Sequence, residues 1–364
     1  MKYRLLVLSR YSRIGASSRL RTLQYRPWLE NADFDVEYAP FFDDSYLERL
    51  YTGTRRKADL FWYYGKRISQ LMQRPKPTLV WIEYESLPWL PWVIERAFLP
   101  HHVPVVSDYD DAVFHRYDMH RLGLVRRALG RKIDGVMAAS ALVMTGNDYL
   151  ASRAKSAGAV KVSIVPTVID ADVYGPMSAT TRTDGARIGW IGTPGTWRDY
   201  MAPMMPMLAE VASLHSARLH VVGAGTAAAP HPLLDNLPWS EDTEVARIQE
   251  MDLGLMPLDD TPWSRGKCGY KLIQYMGCGL PVIASPVGVN REIVEHGVNG
   301  FLADTEAEWH AALAALLADR DLRARMGAAG RKRVEEHYSL QVWGGRVAAN
   351  LRDVAETHSR KSRR

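Results

Sequence analysis

The chain has 364 residues, more than one core of ordinary size holds, and is suited to two domains. With 47% hydrophobic and 24% charged residues it has the balance of a folded globular protein, which excludes a disordered chain. No run approaches the roughly 18 consecutive apolar residues of a membrane-spanning helix. The formal charge of +5 is mild, and part of it sits in the terminal RKSRR (360–364), expected as a disordered basic tail. Two cysteines, Cys268 and Cys278, cannot make a four-ligand zinc site and fit a reducing, cytoplasmic setting.

At the start, MKYRLLVLSRYSR has an apolar run too short for a signal-peptide core and reads as a first strand. Apolar, β-branched runs then alternate with helical patterns, the mark of parallel α/β units. Strands are expected at 3–9, 34–40, 78–83, 103–108, 141–146 and 161–166 in the first half. In the second half they are expected at 186–192, 217–223, 251–258, 281–286 and 299–304. The Pro-, Thr-, Asp- and Gly-rich stretch between the halves, 166–186, reads as a linker. Ligands of such sheets bind at the carboxyl ends of the strands.

After the first strand comes RYSRIGASSRLRTL (10–23), where Gly15 permits close backbone approach and Ser17 or Ser18 is expected to cap a helix. Arg19 is then either a phosphate or acceptor contact or a solvated residue on a capped helix. The stretch 55–77 interleaves Arg and Lys with Phe61, Trp62, Tyr63 and Tyr64. It reads either as an ordinary helix with a solvated face or as a surface for anionic lipid headgroups. No nucleic-acid reader motif accompanies it. In SDYDDAVF (107–114), three readings stand: a sugar- or acceptor-facing role for Asp110 or Asp111, a loop cap, or a metal pair made by Asp108 and Asp110. Of eleven histidines, His115 alone lies near a proposed site and reads as structural.

The densest signal is GKCGYKLIQYMGCGLPVIAS (266–285). Gly269 opens a helix whose first N–H groups lack intrahelical acceptors, an anion site in waiting. Lys267, Lys271, Gln274 and Cys278, spaced by four, three and four, are expected on one side of the helical path. Leu272, Ile273 and Met276 then face the sheet. Two lysines and an amide suit a diphosphate with a ribose nearby; the alternative is an amphipathic helix with solvated lysines.

The order of 266–304 resembles the donor-site signature of the retaining family-4 glycosyltransferases, which have the GT-B fold. AVKVSIVPTVIDADVYGP (159–176), RIGWIGTPGTWRDYMAPMMPML (187–208), MDLGLMPLDDTPWS (251–264) and RARMGAAGRKRVEEHYSLQVW (323–343) are similar to other segments of that family. The resemblance implies an α/β chain of two Rossmann-like, doubly wound domains facing across a cleft, with a C-terminal helix packing back on the N-terminal domain. The expected divisions are 1–168 (acceptor side), 169–342 (nucleotide-sugar donor), 343–358 (returning helix) and 359–364 (tail). In that family two glutamates eight positions apart bracket the signature; here Gly266 and Gln274 occupy those positions.

What the resemblance implies is transfer of a hexose-type sugar, with retention, from a nucleotide-diphosphate sugar to a hydroxyl acceptor, a lipid-linked glycan being the case considered. It implies no essential metal and no cofactor. The setting is surface polysaccharide or glycolipid synthesis, cytoplasmic, at the inner face of an anionic membrane. The expected catalytic residues are Asp110, Lys271 and Glu292, the last in a loop (GVNREIV). The expected donor contacts are Gly15, Ser17, Arg19, Gly192, Thr193, Arg198, Lys267, Gly269, Tyr270 and Gln274. VGAG (222–225) reads as a turn. Two alternatives are an epimerase of the same fold and a silent homologue acting as a binding subunit. No Gly-x-Gly-x-x-Gly opens the first helix, and neither a Walker A sequence nor a Gly-x-Ser-x-Gly elbow occurs.

Overall fold

The computed structural model describes residues 3–51, 59–73, 75–176 and 185–361. The chain divides into two compact units. The first comprises Met1–Thr167, Gly266–Cys268 and Trp343–Arg364; the second comprises Val168–Arg265 and Gly269–Val342. Part of the 55–77 stretch, part of the expected linker and residues 362–364 lie outside the described residues.

The first unit is built on strands β1 (Tyr3–Leu8), β2 (Phe34–Tyr38), β3 (Leu79–Glu83), β4 (Val105–Tyr109), β5 (Leu142–Thr145) and β6 (Val162–Ile164). They form one parallel sheet in the order β2-β1-β3-β4-β5-β6. β3 and β5 are buried along their whole length, as a parallel sheet covered on both faces requires. The strand order reverses direction between β1 and β3, so the crevice for a ligand opens beyond the ends of those two strands.

A buried ion pair ties the ends of this sheet together. Arg21, at the end of the helix Ala16–Arg21, donates from Nε and Nη2 to Asp108 at 2.7 and 3.2 Å, and from Nη1 to the Val165 carbonyl at 2.7 Å. Both side chains are 1% exposed. One guanidinium thus joins the helix after β1, the end of β4 and the segment after β6. The closing helix, Leu340–Lys361, also serves this unit from Trp343 onward. At Gly344 a Cβ would lie 2.3 Å from the ring of Trp28, so the helix and that indole meet only because the residue is glycine.

The second unit carries β7 (Arg187–Ile191), β8 (Arg218–Val222), β9 (Leu234–Leu237), β10 (Leu253–Met256), β11 (Val282–Ala284) and β12 (Gly300–Leu302). The sheet is parallel, ordered β12-β11-β10-β7-β8-β9, and reverses between β7 and β10. All eleven strands expected from the sequence are present. β9 is the addition: LDNL, set between Pro232 and Pro238, has no apolar run, and no residue in it is fully buried.

Tyr275, on the helix Tyr270–Gly277, fixes that helix over the reversal. Its ring lies where a Cβ on Gly254 of β10 would come within 2.2 Å, and its hydroxyl accepts the Ile191 N–H of β7 at 3.0 Å. Among the described residues no helix is long and apolar enough to cross a membrane.

Removing one partner of a buried pair leaves an uncompensated charge. Arg21→Met should therefore cost about 3–5 kcal/mol in urea denaturation, and Arg21→Met with Asp108→Leu should recover much of that loss. Equal stability of the single and double variants would show that the pair does not set this unit's stability.

Candidate functional site

In the second unit the candidate site grows from the end of β7. Gly192 has no room for a side chain, since a Cβ would sit 2.5 Å from the Trp190 ring. Thr193 follows as a helix cap, bonded reciprocally with Thr196. Across the reversal, Gly269 adopts φ 66°, open to glycine at little cost, and starts the helix Tyr270–Gly277. In the first turn of that helix the Lys271 ammonium lies 4.6 Å from the centroid of the buried Trp190 ring. A cation held on an indole face, a glycine turn and the N-terminus of a helix therefore lie by the strand ends where an anion is best held.

Behind this surface lies a polar network. Gln274 is 2% exposed and donates to the Tyr174 hydroxyl at 3.1 Å. Tyr174 donates to Glu244 at 2.5 Å and sits 3.3 Å from the Tyr270 hydroxyl. The Trp239 indole N–H completes the set, 2.7 Å from the other Glu244 oxygen. A buried carboxylate thus stands two hydrogen bonds behind the amide.

A cavity of about 450 Å³ opens at the ends of β10, β11 and β12. Its charged lining is Asp199, Asp259, Asp304 and Glu306, over an apolar floor that includes Met207 and Trp309. Such a lining repels phosphate.

In the first unit the ends of β3 and β4 gather carboxyls. Glu83, 1% exposed, accepts the Arg10 N–H at 3.0 Å and the Ser18 hydroxyl at 2.6 Å through one oxygen, while its other oxygen is buried without a hydrogen-bond partner. Burial pushes its carboxyl up to about 7. Tyr84, at φ 63°, donates its hydroxyl to Asp110. The Asp110 carbonyl accepts the Cys268 thiol at 2.8 Å, and Asn147 donates to the Gly266 and Lys267 carbonyls at 3.0 Å each. Burial pushes the Asp111 carboxyl up, with Lys267 opposing that shift and Asp110 adding to it.

Several expected placements are revised. Neither Ser17 nor Ser18 caps a helix: Gly15 holds the cap position without a side-chain bond, and Ser18 turns inward to Glu83. A Cβ at Gly15 would meet Tyr11 at 2.4 Å, which is the close approach expected there. Arg19 is buried, with Nη1 donating to the Arg13 carbonyl at 3.3 Å, and so is not a solvated residue. Asp108 is taken by Arg21, which removes it from any metal pair with Asp110. Burial pushes its carboxyl up to about 6 despite that partner. His115 bridges Asp118 and Tyr149 at 2.8 Å each, a structural role.

Lys267 precedes the helix and belongs to the first unit, while Lys271 belongs to the second. Gln274 and Cys278 are buried with Leu272, Ile273 and Met276, so the four polar residues do not share an open helix face. Glu292 is exposed in the short helix Asn290–Ile293 rather than in a loop, and its carbonyl accepts from Arg333. Arg198 is exposed, its Nε donating to the Pro194 carbonyl at 3.2 Å. Gly223 and Gly225 both have positive φ, consistent with a turn. Glu83, Arg21, Tyr174 and Glu244 were not singled out from the sequence. Of these only Glu83 carried a signal there, as an acid closing an otherwise apolar strand.

Residues 186–319 match the family model described as glycosyl transferases group 1. No curated protein matches the chain significantly. Among solved structures, sucrose-phosphate synthase from Thermosynechococcus elongatus is similar at TM-score 0.71 and 13% identity, over 98% of this chain and 100% of that one. HepE of Anabaena, in complex with UDP and glucose, is similar at TM-score 0.69 and 15% identity, over 96% of this chain and 100% of that one. A glycosyltransferase from Rickettsia africae gives TM-score 0.65 and 11% identity, over 97% and 98% of the two chains. At these identities the likeness carries the fold, which is GT-B. The fold and the matched domain together support a glycosyltransferase.

The Glu83 carboxyl gives the first unit a pH signature. Its folded value of about 7 stands above the ordinary 4.5, so within that window the folded chain holds a proton that the unfolded chain has released. Stability therefore falls as pH rises from 4.5 to about 7. Glu83→Gln, which mimics the protonated form, should flatten the fall in melting temperature over this window. Parallel profiles for variant and wild type would rule the assignment out.

Proposed function

We propose that the protein transfers a hexosyl unit, with retention and without an essential metal, from a nucleotide-diphosphate sugar to a hydroxyl acceptor. The acceptor class is a lipid-linked glycan of surface polysaccharide or glycolipid synthesis, met at the inner face of the membrane. The observation that carries the donor half is Lys271 held over Trp190 beside the Gly192 turn and the N-terminus of helix Tyr270–Gly277. As the glycosyl–oxygen bond breaks, negative charge grows on the departing diphosphate, and a cation with preorganised N–H donors lowers that barrier. Thr193, Arg198 and Tyr270 complete the donor contacts in this reading. Gln274, fixed by Tyr174 and Glu244, serves the ribose side, and Glu292 the sugar or phosphate edge. Asp110, held by Tyr84, orients the acceptor hydroxyl, while Lys267, which favours the charged form of Asp111, is a further donor contact in this reading.

A second reading, a binding subunit without transfer, draws on Gly266, which has no side chain, and on the burial of Gln274. An epimerase would convert donor without any acceptor. Analysis of products with and without acceptor separates all three.

The test is a thermal-shift screen against UDP-, GDP-, dTDP- and ADP-sugars, with UDP-glucose first because HepE has been solved in complex with it. The matching donor at a hundredfold over its Kd should stabilise the chain by about 2.7 kcal/mol. No shift with any donor would sink the reading. Lys271→Ala should weaken binding of the matching donor by about tenfold to a hundredfold, the worth of a hydrogen bond to a charged group. Unchanged affinity would remove Lys271 from the phosphate.

A further inference from the structure

The cavity at the ends of β10, β11 and β12 has no part in the donor reading, since none of its lining residues is a donor contact there. Its volume, about 450 Å³, is that of a small-molecule site.

The charge at its rim is uncompensated. No lysine or arginine lines it, and the exposed side chains of Asp199, Asp304 and Glu306 have neither an ion pair nor a hydrogen bond among the described residues. Asp259 alone is engaged, accepting the Ser264 and Thr261 hydroxyls at 2.6 and 3.5 Å. Asp304 and Glu306 are not needed to cap the helix Glu306–Ala318, because Thr305 and Glu308 bond there reciprocally.

Two buried side chains bring unpartnered donors to the same cavity. Trp309 is 4% exposed, and its indole N–H has no hydrogen-bond partner among the described residues. Ser285, 5% exposed, accepts the Leu258 N–H at 2.9 Å through Oγ, and its own proton has no acceptor among those residues. Its backbone is fixed between Asn290, which donates to its carbonyl at 3.0 Å, and the Met256 carbonyl, 3.2 Å from its N–H. A buried donor without an acceptor is costly, and a ligand oxygen relieves that cost.

The rest of the wall is apolar, with Met204, Met207, Pro203, Pro206 and Pro257. Among the described residues no three acids, histidines or cysteines stand close enough to hold a metal ion. The carboxylates are thus spaced for separate contacts along a larger molecule, not for one small ion.

We propose that this cavity binds an amino sugar. Its protonated amines meet the rim carboxylates, its oxygens accept from Trp309 and Ser285, and its C–H faces lie on the Met and Pro side chains. A polyamine brings no acceptor for the two donors, and a neutral sugar leaves the carboxylates without a cation. The inference stands apart from the sugar-transfer reading, since binding here needs neither nucleotide nor turnover.

The test is isothermal titration calorimetry of the full chain at about pH 6, where carboxylates are ionised. The probes are a disaccharide of glucosamine, its N-acetylated counterpart and spermidine. The glucosamine disaccharide should bind, and the uncharged N-acetylated form should bind at least about tenfold more weakly. Asp304→Asn with Glu306→Gln should weaken the disaccharide by about tenfold or more. Trp309→Phe, which keeps an aromatic floor and removes the N–H, should weaken it about fivefold. Excess UDP should leave the affinity unchanged, and failure of every nucleotide-sugar to bind would leave this result as it stands. The two variants remove independent contacts, and each is read beside its melting temperature, so misfolding of one leaves the other to decide. No binding of the disaccharide, equal binding of the N-acetylated form, or displacement by UDP would overturn the proposal. So would spermidine binding as tightly as the disaccharide with no response of either to Trp309→Phe, the mark of charge attraction alone.

Discussion

Arg21 and Asp108 set the terms for the first unit. A guanidinium and a carboxylate taken from water together keep their charges only if each satisfies the other, and here a third bond to the Val165 carbonyl uses the remaining donor face. That geometry fixes the helix after β1 against the ends of β4 and β6. It also decides how the acidic run beyond β4 is used. Asp108 is committed to structure, which leaves Asp110 and Asp111 as the carboxyls at the strand ends. The strained Tyr84, itself anchored by the buried Lys132–Glu85–Glu95 cluster through the chain that follows, then brings its hydroxyl onto Asp110.

The second unit solves a different problem with an aromatic ring. A helix N-terminus holds an anion only if its direction is fixed, and Tyr275 fixes it by lying on Gly254 and receiving the Ile191 N–H. Lys271 is then delivered to the Trp190 face, where the indole restricts an otherwise flexible side chain at little cost in hydration. The cavity on the β10–β12 side, by contrast, is lined by carboxylates, a surface that repels phosphate. One sheet thus separates an acidic and a cationic end within a single Rossmann-like unit.

The central strands were legible because parallel sheets buried on both faces demand continuous apolar runs, while β2, FDVEY, was legible from its alternation. β9 escaped because LDNL offers only two leucines between prolines, with neither an apolar run nor an alternation. The glycine turns were legible for a related reason: Gly192 and Gly269 mark places where no Cβ fits or where φ is positive. Side-chain partners were not. Spacing put Lys267 and Lys271 on one helical face, but a helix that begins at Tyr270 cannot carry Lys267, and the chain boundary at Gly269 assigns the two lysines to different units. Glu83 and Glu244 were hidden because a buried carboxylate is recognisable only by the groups that reach it from distant positions, Arg10 and Ser18 for one, Tyr174 and Trp239 for the other.

The same limit applies to the basic–aromatic stretch 55–77, part of which lies outside the described residues. Interleaved aromatics and cations in sequence say nothing about which of them turn inward, and on the helix Asp59–Met72 the inward set includes Tyr63 and Arg67, whose Nη2 donates to the Ser9 carbonyl at 2.9 Å. That arginine serves the fold. Residues 119–131 contain no aromatic besides His120 and so lack the familiar interfacial signature, yet their leucines and arginines remain outside because the chain there wraps a core already filled by Tyr117, Leu129 and Ile133. A mild net charge of +5 is therefore compatible with a cationic stretch at 119–131, since Glu85 and Glu95 outnumber the buried Lys132 and four carboxylates line the cavity of the second unit.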